Sequence, residues 1–273
     1  MKGLMLIFAP LYLLLCWMQP GGSVKISFVF TPRKANQVIQ MSMVEDAVDD
    51  MYFDCDKVMT TKINNRYFKE EIKQRIFESV WKNSEKCSKK KIVDAKNSAL
   101  TKKHRQAICV YTSGFKKFYE IFNAAVRTDR KIYQTSFPFH SLHFWLTSAV
   151  QILNNNMKCH NTYRRTETVF TGNVNQIIRF GFFASSSYSP TMTHFGNKTC
   201  FNITTRLGAS LGQYPTLGDK EQEVLIPPYE KFKIKGKIAR KKKSPYVGGL
   251  DDCDVVYVLE SAGVHSNLNC QAV

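Results

Sequence analysis

The chain has 273 residues, 44% of them hydrophobic and 12% aromatic, which is enough to bury a large core and too apolar for a disordered chain. Its formal net charge of +17 selects an anionic ligand or surface as a partner. No zinc knuckle, aromatic ribonucleoprotein pattern or basic recognition helix accompanies that charge, so nucleic acid is not the expected one.

Lys2 precedes an apolar run from Leu4 to Trp17, interrupted by Pro10, and Pro20-Gly21-Gly22-Ser23 follows. This charged, apolar, small-residue order is that of a secretory signal. It predicts removal of residues 1–22 and a single mature domain over 23–273. The run is short for a membrane span, and Asn269–Val273 carries no hydrophobic tail of the kind a lipid-anchor signal uses. The expected location is secreted, extracellular. Cys16 leaves with the signal, and Cys55, Cys87, Cys109, Cys159, Cys200, Cys253 and Cys270 remain. Their spacing fits no zinc ribbon or finger, so disulfides with one cysteine left over are expected. Cys109 lies in an apolar run and is expected as a buried free thiol, with Cys87 and Cys253 paired to each other or free. Asn197-Lys198-Thr199 and Asn202-Ile203-Thr204 match the glycosylation pattern.

The first half, to about residue 155, is predicted helical. Phe68, Ile72, Ile76, Val80 and Trp81 recur at helical spacing over Phe68–Asn83. A second amphipathic stretch runs from about Val93 to Arg105 and leads into Ile108–Thr112. Ser113 is placed to cap a third helix carrying Phe115, Phe118, Tyr119, Phe122 and Val126 on one face. A fourth, Phe139–Leu153, is apolar enough to be core. Its His140 and His143 have the i, i+3 spacing of a metal pair but lack a nearby carboxylate.

After Asn154-Asn155-Asn156 short β-branched and aromatic runs take over: Thr162-Tyr163, Ile177–Ala184, Cys200–Thr205, Glu223–Ile226, Lys231–Ile238 and Val255–Leu259. Turn residues separate them, as in an all-β unit. The fold class is therefore α+β: a helical lobe over 23–155 packed on a β lobe over 156–273. Lys235–Lys243 is the densest basic run, a solvated hairpin or a site for anionic glycans or an anionic cell surface.

Three short stretches in the β half carry chemistry when taken together. Tyr163-Arg164 heads it. Phe180-Gly181-Phe182-Phe183-Ala184-Ser185-Ser186-Ser187 is an aromatic strand ending in hydroxyls. Glu221-Gln222-Glu223 opens an apolar run closed by Pro227-Pro228. In a strand, residues i and i+2 share a face, so Glu221 and Glu223 are expected side by side at a strand mouth.

This order and spacing resembles the R-S-E signature of the vertebrate ecto-mono-ADP-ribosyltransferases. Tyr111-Thr112, Phe122–Arg127, Phe139–Phe144, Arg179-Phe180-Gly181, Glu223–Glu230 and Ser266–Cys270 also look like blocks of that family, so the resemblance runs from about Met43 to Cys270. It implies a β-sandwich-like NAD-binding core, NAD as co-substrate, arginine-containing acceptor proteins and no metal. It implies Arg164, Ser185, Glu221 and Glu223 as catalytic residues, with Tyr163, Arg164, Arg165 and Ser185 at the NAD subsite. Arg165 stands where the family pattern has glycine, and Phe182 where it has a polar residue; an arginine at 165 is expected to adopt another φ or to crowd the pocket. The resemblance also implies the disulfides Cys55–Cys270 and Cys159–Cys200.

These residue types suit the implied reaction. Arg164 offers a planar fork of donors to a pyrophosphate. Glu223 stabilises the positive charge that grows on the ribose as nicotinamide departs, with Ser185 holding its rotamer. Glu221 orients and deprotonates an incoming arginine. The function expected is NAD-dependent mono-ADP-ribosylation of protein arginine. The alternatives are an NAD glycohydrolase using the same pocket, and a catalytically weak secreted binding module that works through its basic hairpin.

Overall fold

A computed structural model describes residues 38–90, 99–155, 158–240 and 248–273; the expected signal at 1–22 and Lys241, Lys242 and Lys243 of the basic run lie outside the described residues. Strand β1 (Val38–Gln40) leads into α1 (Asp56–Lys62), which continues through a π turn (Ile63–Tyr67) into α2 (Phe68–Glu71). Then come α3 (Arg75–Asn83), α4 (Glu85–Ser88), α5 (Lys102–Thr112), α6 (Phe118–Thr128) and α7 (His140–Leu153). The expected helix over Phe68–Asn83 is two pieces, because Gln74 is extended at φ −72°, ψ 119°. The second piece buries Phe77, Val80 and Trp81. Helix α5 starts at the capping box of Thr101 and His104 and carries Ile108–Thr112 within it. Ser113 does not cap α6 directly. Its hydroxyl accepts from Phe115 N, and Gly114 turns the chain at φ 63° before α6 opens at Phe118.

Helix α7 runs through the core, and its N-terminus is satisfied by a buried carboxylate: Glu71 Oε2 accepts from the Ser141 backbone N–H and hydroxyl. His140 and His143 are core residues rather than a metal pair. His140 Nε2 lies 2.6 Å from Tyr133 O, and His143 bridges Tyr52 OH at 2.7 Å and Val48 O at 3.1 Å. Burial lowers the His143 pKa to about 3.

The strands are β2 (His160–Thr166), β3 (Val169–Thr171), β4 (Ile177–Arg179), β5 (Ala184–Ser187), β6 (Thr199–Thr205), β7 (Ala209–Ser210), β8 (Glu223–Ile226), β9 (Glu230–Ala239) and β10 (Val255–Val264). Eight form one sheet in the order β4-β9-β10-β6-β2-β5-β8-β7, and β1 pairs with β3 in parallel. The expected run Ile177–Ala184 is thus split. β4 joins the edge beside β9, Gly181 turns at φ 67°, and β5 lies on the far side between β2 and β8. That split carries Ser185 to the strand next to Glu223. The main core packs the helices against this sheet, and a smaller cluster of Cys200, Leu250, Cys253 and Val256 lies under Tyr163 and Ile238. Buried Glu230 accepts from Thr205 Oγ1, Arg206 N, Leu207 N and Ser261 Oγ, locking β9 to the end of β6.

The cysteines correct the sequence reading. Cys55 is bridged to Cys270, but Cys200 is bridged to Cys253, not to Cys159. Cys159 is exposed and unpaired. The register explains why: Arg165 lies opposite Cys200 and His160 opposite Thr205. Cys159 therefore sits six residues along the strand from the position facing Cys200, on the order of 20 Å at 3.3 Å per residue. A disulfide spans less than about 7 Å between Cα atoms. Cys109 is not free either: it is bridged to Cys87 across α4 and α5.

Candidate active site

Strands β2, β5 and β8 and helix α5 converge on a cleft of about 480 Å³ bordered by Tyr163, Arg164, Ser185, Glu221 and Glu223. Arg164 is fixed from two sides. Its Nη1 donates to Ser185 O at 2.6 Å, and its guanidinium carbon lies 5.7 Å from the Phe182 ring centroid. Arg127 lies 4.3 Å from the same ring, so Phe182 carries two cations. Burial pushes the Arg164 pKa down, opposed by Tyr111 and the Glu223 carboxyl.

Glu223 opens β8 and is only 6% exposed. Burial is the main cause that raises its pKa to about 7; a hydrogen bond from Ser185 pulls it down, the Glu221 charge pushes it up, and Arg164 pulls it down. The Ser185 hydroxyl lies in the same cleft, 3.4 Å from Tyr111 OH. Tyr111 donates to Phe183 O at 2.5 Å, and burial pushes its pKa up to about 12.

Glu221 reaches the cleft by another route than the one expected. It ends a 3-10 turn (Gly218–Glu221), Gln222 is left-handed at φ 46°, and the strand begins only at Glu223. The two carboxylates are therefore brought together by a turn rather than by strand alternation. The turn is pinned to β5, with Ser187 Oγ donating to Glu221 O at 2.6 Å and Tyr188 N to Gln222 O at 3.2 Å.

Arg165 borders the cleft, but its guanidinium is buried on the other face of β2 and has no free donor to offer NAD. Adjacent strand residues point to opposite faces: Arg164 pairs opposite Phe201 of the main core, Arg165 opposite Cys200 of the smaller cluster. All five of its guanidinium N–H groups are engaged, by Pro190 O, Gly196 O, Gly249 O and both oxygens of Asp252.

A family model for NAD:arginine ADP-ribosyltransferase matches residues 41–246. The chain belongs to the NAD:arginine ADP-ribosyltransferase family. It is 32% identical to ecto-ADP-ribosyltransferase 5 of Rattus norvegicus over 74% of this chain and 70% of that one. It is also 32% identical to ecto-ADP-ribosyltransferase 4 of Mus musculus over 95% of this chain and 83% of that one. A mutant of the eukaryotic mono-ADP-ribosyltransferase ART2.2, crystallised with NADH, superimposes with a TM-score of 0.71 at 26% identity, covering 86% of this chain and 100% of that one. As an ADP-ribosyltransferase the chain takes NAD as co-substrate, and among its described residues no His, Cys, Asp or Glu cluster could hold a metal ion.

Among the cleft residues of this ADP-ribosyltransferase that sequence reasoning missed, four stand out. Tyr111 and Asn123 come from α5 and α6, Met192 and Phe195 from the loop after β5. The first two lie inside blocks that carried the family resemblance, which was a usable signal. Asn123 Nδ2 donates to Tyr111 OH and Phe183 O, leaving its buried Oδ1 without a partner among the described residues. Met192 and Phe195 sit in a loop without periodicity, and nothing in the sequence marks them. Of the two glycosylation candidates, Asn197 lies in the loop before β6 and Asn202 within β6.

Proposed function

We propose that this chain transfers ADP-ribose from NAD to arginine side chains of extracellular proteins, with Glu223 stabilising the ribosyl cation and Glu221 preparing the acceptor. The observation that carries this reading is the buried Glu223, which shares one cleft with Arg164, Ser185 and Glu221. Arg164 grips the pyrophosphate. The bond between C1′ of the ribose and the nicotinamide nitrogen breaks with its electron pair on nicotinamide. An arginine nitrogen forms the new bond to C1′, and its proton passes to Glu221 and on to solvent. A guanidinium has a pKa above about 12, so this proton removal needs a carboxylate beside it.

The ecto-enzyme names of the relatives and three disulfides support an extracellular or cell-surface protein, and the signal-like first residues fit a chain that enters the secretory route. The basic β9–β10 hairpin is the part suited to an anionic surface. Lys235 and Arg240 there are each paired with an acid, Glu260 and Asp254, at 3.2 Å, and attraction through the remaining lysines is expected to be salt-sensitive.

The two carboxylates should fail differently. Glu223→Gln is expected to slow nicotinamide release itself by about 10²–10³-fold, the usual cost of one lost electrostatic contact in the transition state. Glu221→Gln is expected to retain NAD hydrolysis while labelling of agmatine collapses. Nicotinamide release and agmatine labelling, measured for both variants under one condition, check this. Equal loss of hydrolysis in the two variants would overturn the division of labour.

A further inference from the structure

The geometry points to Arg165 as a positioning residue that sets the affinity for NAD by clamping the loop Ser189–Gly196, which forms one wall of the cleft; this rests on the reading above. The loop follows β5 and carries Met192 and Phe195 into the cleft. Phe195 is 48% exposed, an aromatic ring held at the mouth without a core to bury it. Something other than apolar packing has to hold such a segment, and Arg165 is placed to do so from beneath. Its Nε donates to Pro190 O at 2.6 Å, near one end of the loop, and Nη1 reaches Gly196 O at 3.5 Å at the other. The remaining donors take Gly249 O at 2.8 Å and the two Asp252 oxygens at 2.9 and 2.8 Å.

One side chain thus joins both ends of the loop to a third segment, Gly249–Asp252, which the Cys200–Cys253 bridge ties to β6. The surroundings are shaped to this arrangement. Gly249 has φ +85°, and a Cβ there would stand 2.6 Å from the Pro190 ring; Gly196 has φ +118°, and a Cβ would meet the backbone of Thr166 and Glu167 at 2.5–2.6 Å. Both contacts need glycine. Arg165 is also the residue next to Arg164, so the strand that presents the pyrophosphate-binding guanidinium on one face fixes the opposite wall from the other. A lysine in place of Arg165 could reach only some of these acceptors, because it lacks the planar fork.

The test measures nicotinamide release from NAD by wild type, Arg165→Lys, Asp252→Ala, Phe195→Ala and the double variant Asp252→Ala/Phe195→Ala. Asp252 is partly exposed, so its alanine variant remains informative if Arg165 variants do not fold. The expected result is a rise in KM of about tenfold for Arg165→Lys and Asp252→Ala with kcat changed by less than about threefold, since the wall shifts while the carboxylates stay. Because the clamp acts through the loop, Asp252→Ala should add little once Phe195 is alanine, less than about twofold. An unchanged KM in Asp252→Ala, or an equal rise with and without Phe195, overturns the inference while leaving the function intact. Wild-type protein that releases no nicotinamide overturns the function, and the inference with it.

Discussion

Glu223 must be ionised to stabilise a ribosyl cation, yet burial holds its pKa near the middle of the physiological range, at about 7. For nicotinamide release, kcat/KM should therefore rise about tenfold per pH unit below 7 and level off above it. Glu221 is one cause of that elevated pKa, so in Glu221→Gln the acid limb should move to lower pH. A limb that stays in place would mean the two carboxylates do not sense each other. The stability consequence runs the other way from activity. A carboxyl whose folded pKa is raised binds its proton more tightly folded than unfolded, so stability falls as pH rises from 4.5 to about 7. Above that window the burial cost is fully present, on the order of 3 kcal/mol for a shift of this size, and Glu223→Gln should melt higher than wild type while losing activity. That Arg164, Ser185 and Glu223 share one cleft is legible in the sequence, because a known signature gives their residue types and order. The role of Arg165 is not legible, since it depends on which strand face its side chain takes and on acceptors 25 to 87 positions away.

The turn that carries Glu221 is pinned to β5, and the loop leading into it is held by helices. Tyr214 O lies 3.7 and 3.6 Å from the sulfurs of the Cys87–Cys109 bridge, Thr216 N donates to Thr112 Oγ1 at 3.0 Å, and Lys90 Nζ reaches Thr216 O at 2.9 Å. The disulfide between α4 and α5 therefore fixes the loop leading to Glu221, while Glu223 is anchored separately in β8. Replacing both Cys87 and Cys109 by serine should cost about 3 kcal/mol by the chain-entropy model for a loop of this length. Agmatine labelling should fall more than NAD hydrolysis, because the loosened turn carries the carboxylate proposed to prepare the acceptor. Equal losses in the two assays would show that the bridge acts only on global stability. At this scale the helices of the first half and most strands are legible from apolar spacing. Their partners are less so: the bridges Cys87–Cys109 and Cys200–Cys253 follow from which faces α5 and β6 present, and spacing along the chain does not encode that.

Across the described residues, the end of the chain is stitched to the segment Asp49–Cys55 before α1. Asp49 Oδ1 accepts from Asn267 N and Leu268 N, Asp50 Oδ1 from Cys270 N, and Asn269 Oδ1 from Phe53 N. Buried Arg179 pairs with Asp49 Oδ2 at 2.5 Å and donates to His265 O at 3.0 Å, bringing β4 into the same knot. Cys55–Cys270 closes this seam across 215 residues, and a cross-link over so long a loop removes unfolded-state entropy worth about 5 kcal/mol. The bridge and the polar knot are distinct supports. A Cys55→Ser/Cys270→Ser variant should still fold, because the hydrogen bonds around Asp49 and Asp50 remain, but melt about 10–20 °C lower by the usual scaling for a chain this long. Asp49→Ala should cost about 3–5 kcal/mol with the bridge intact, since it leaves a buried guanidinium without its partner. Both contacts hold one seam, so the two changes should not add, and the combined variant is expected to lose the folded state at 37 °C or below. Differential scanning calorimetry on the three proteins decides the matter: a melting temperature within about 2 °C of wild type for the bridge-less variant would mean the polar knot alone carries the seam.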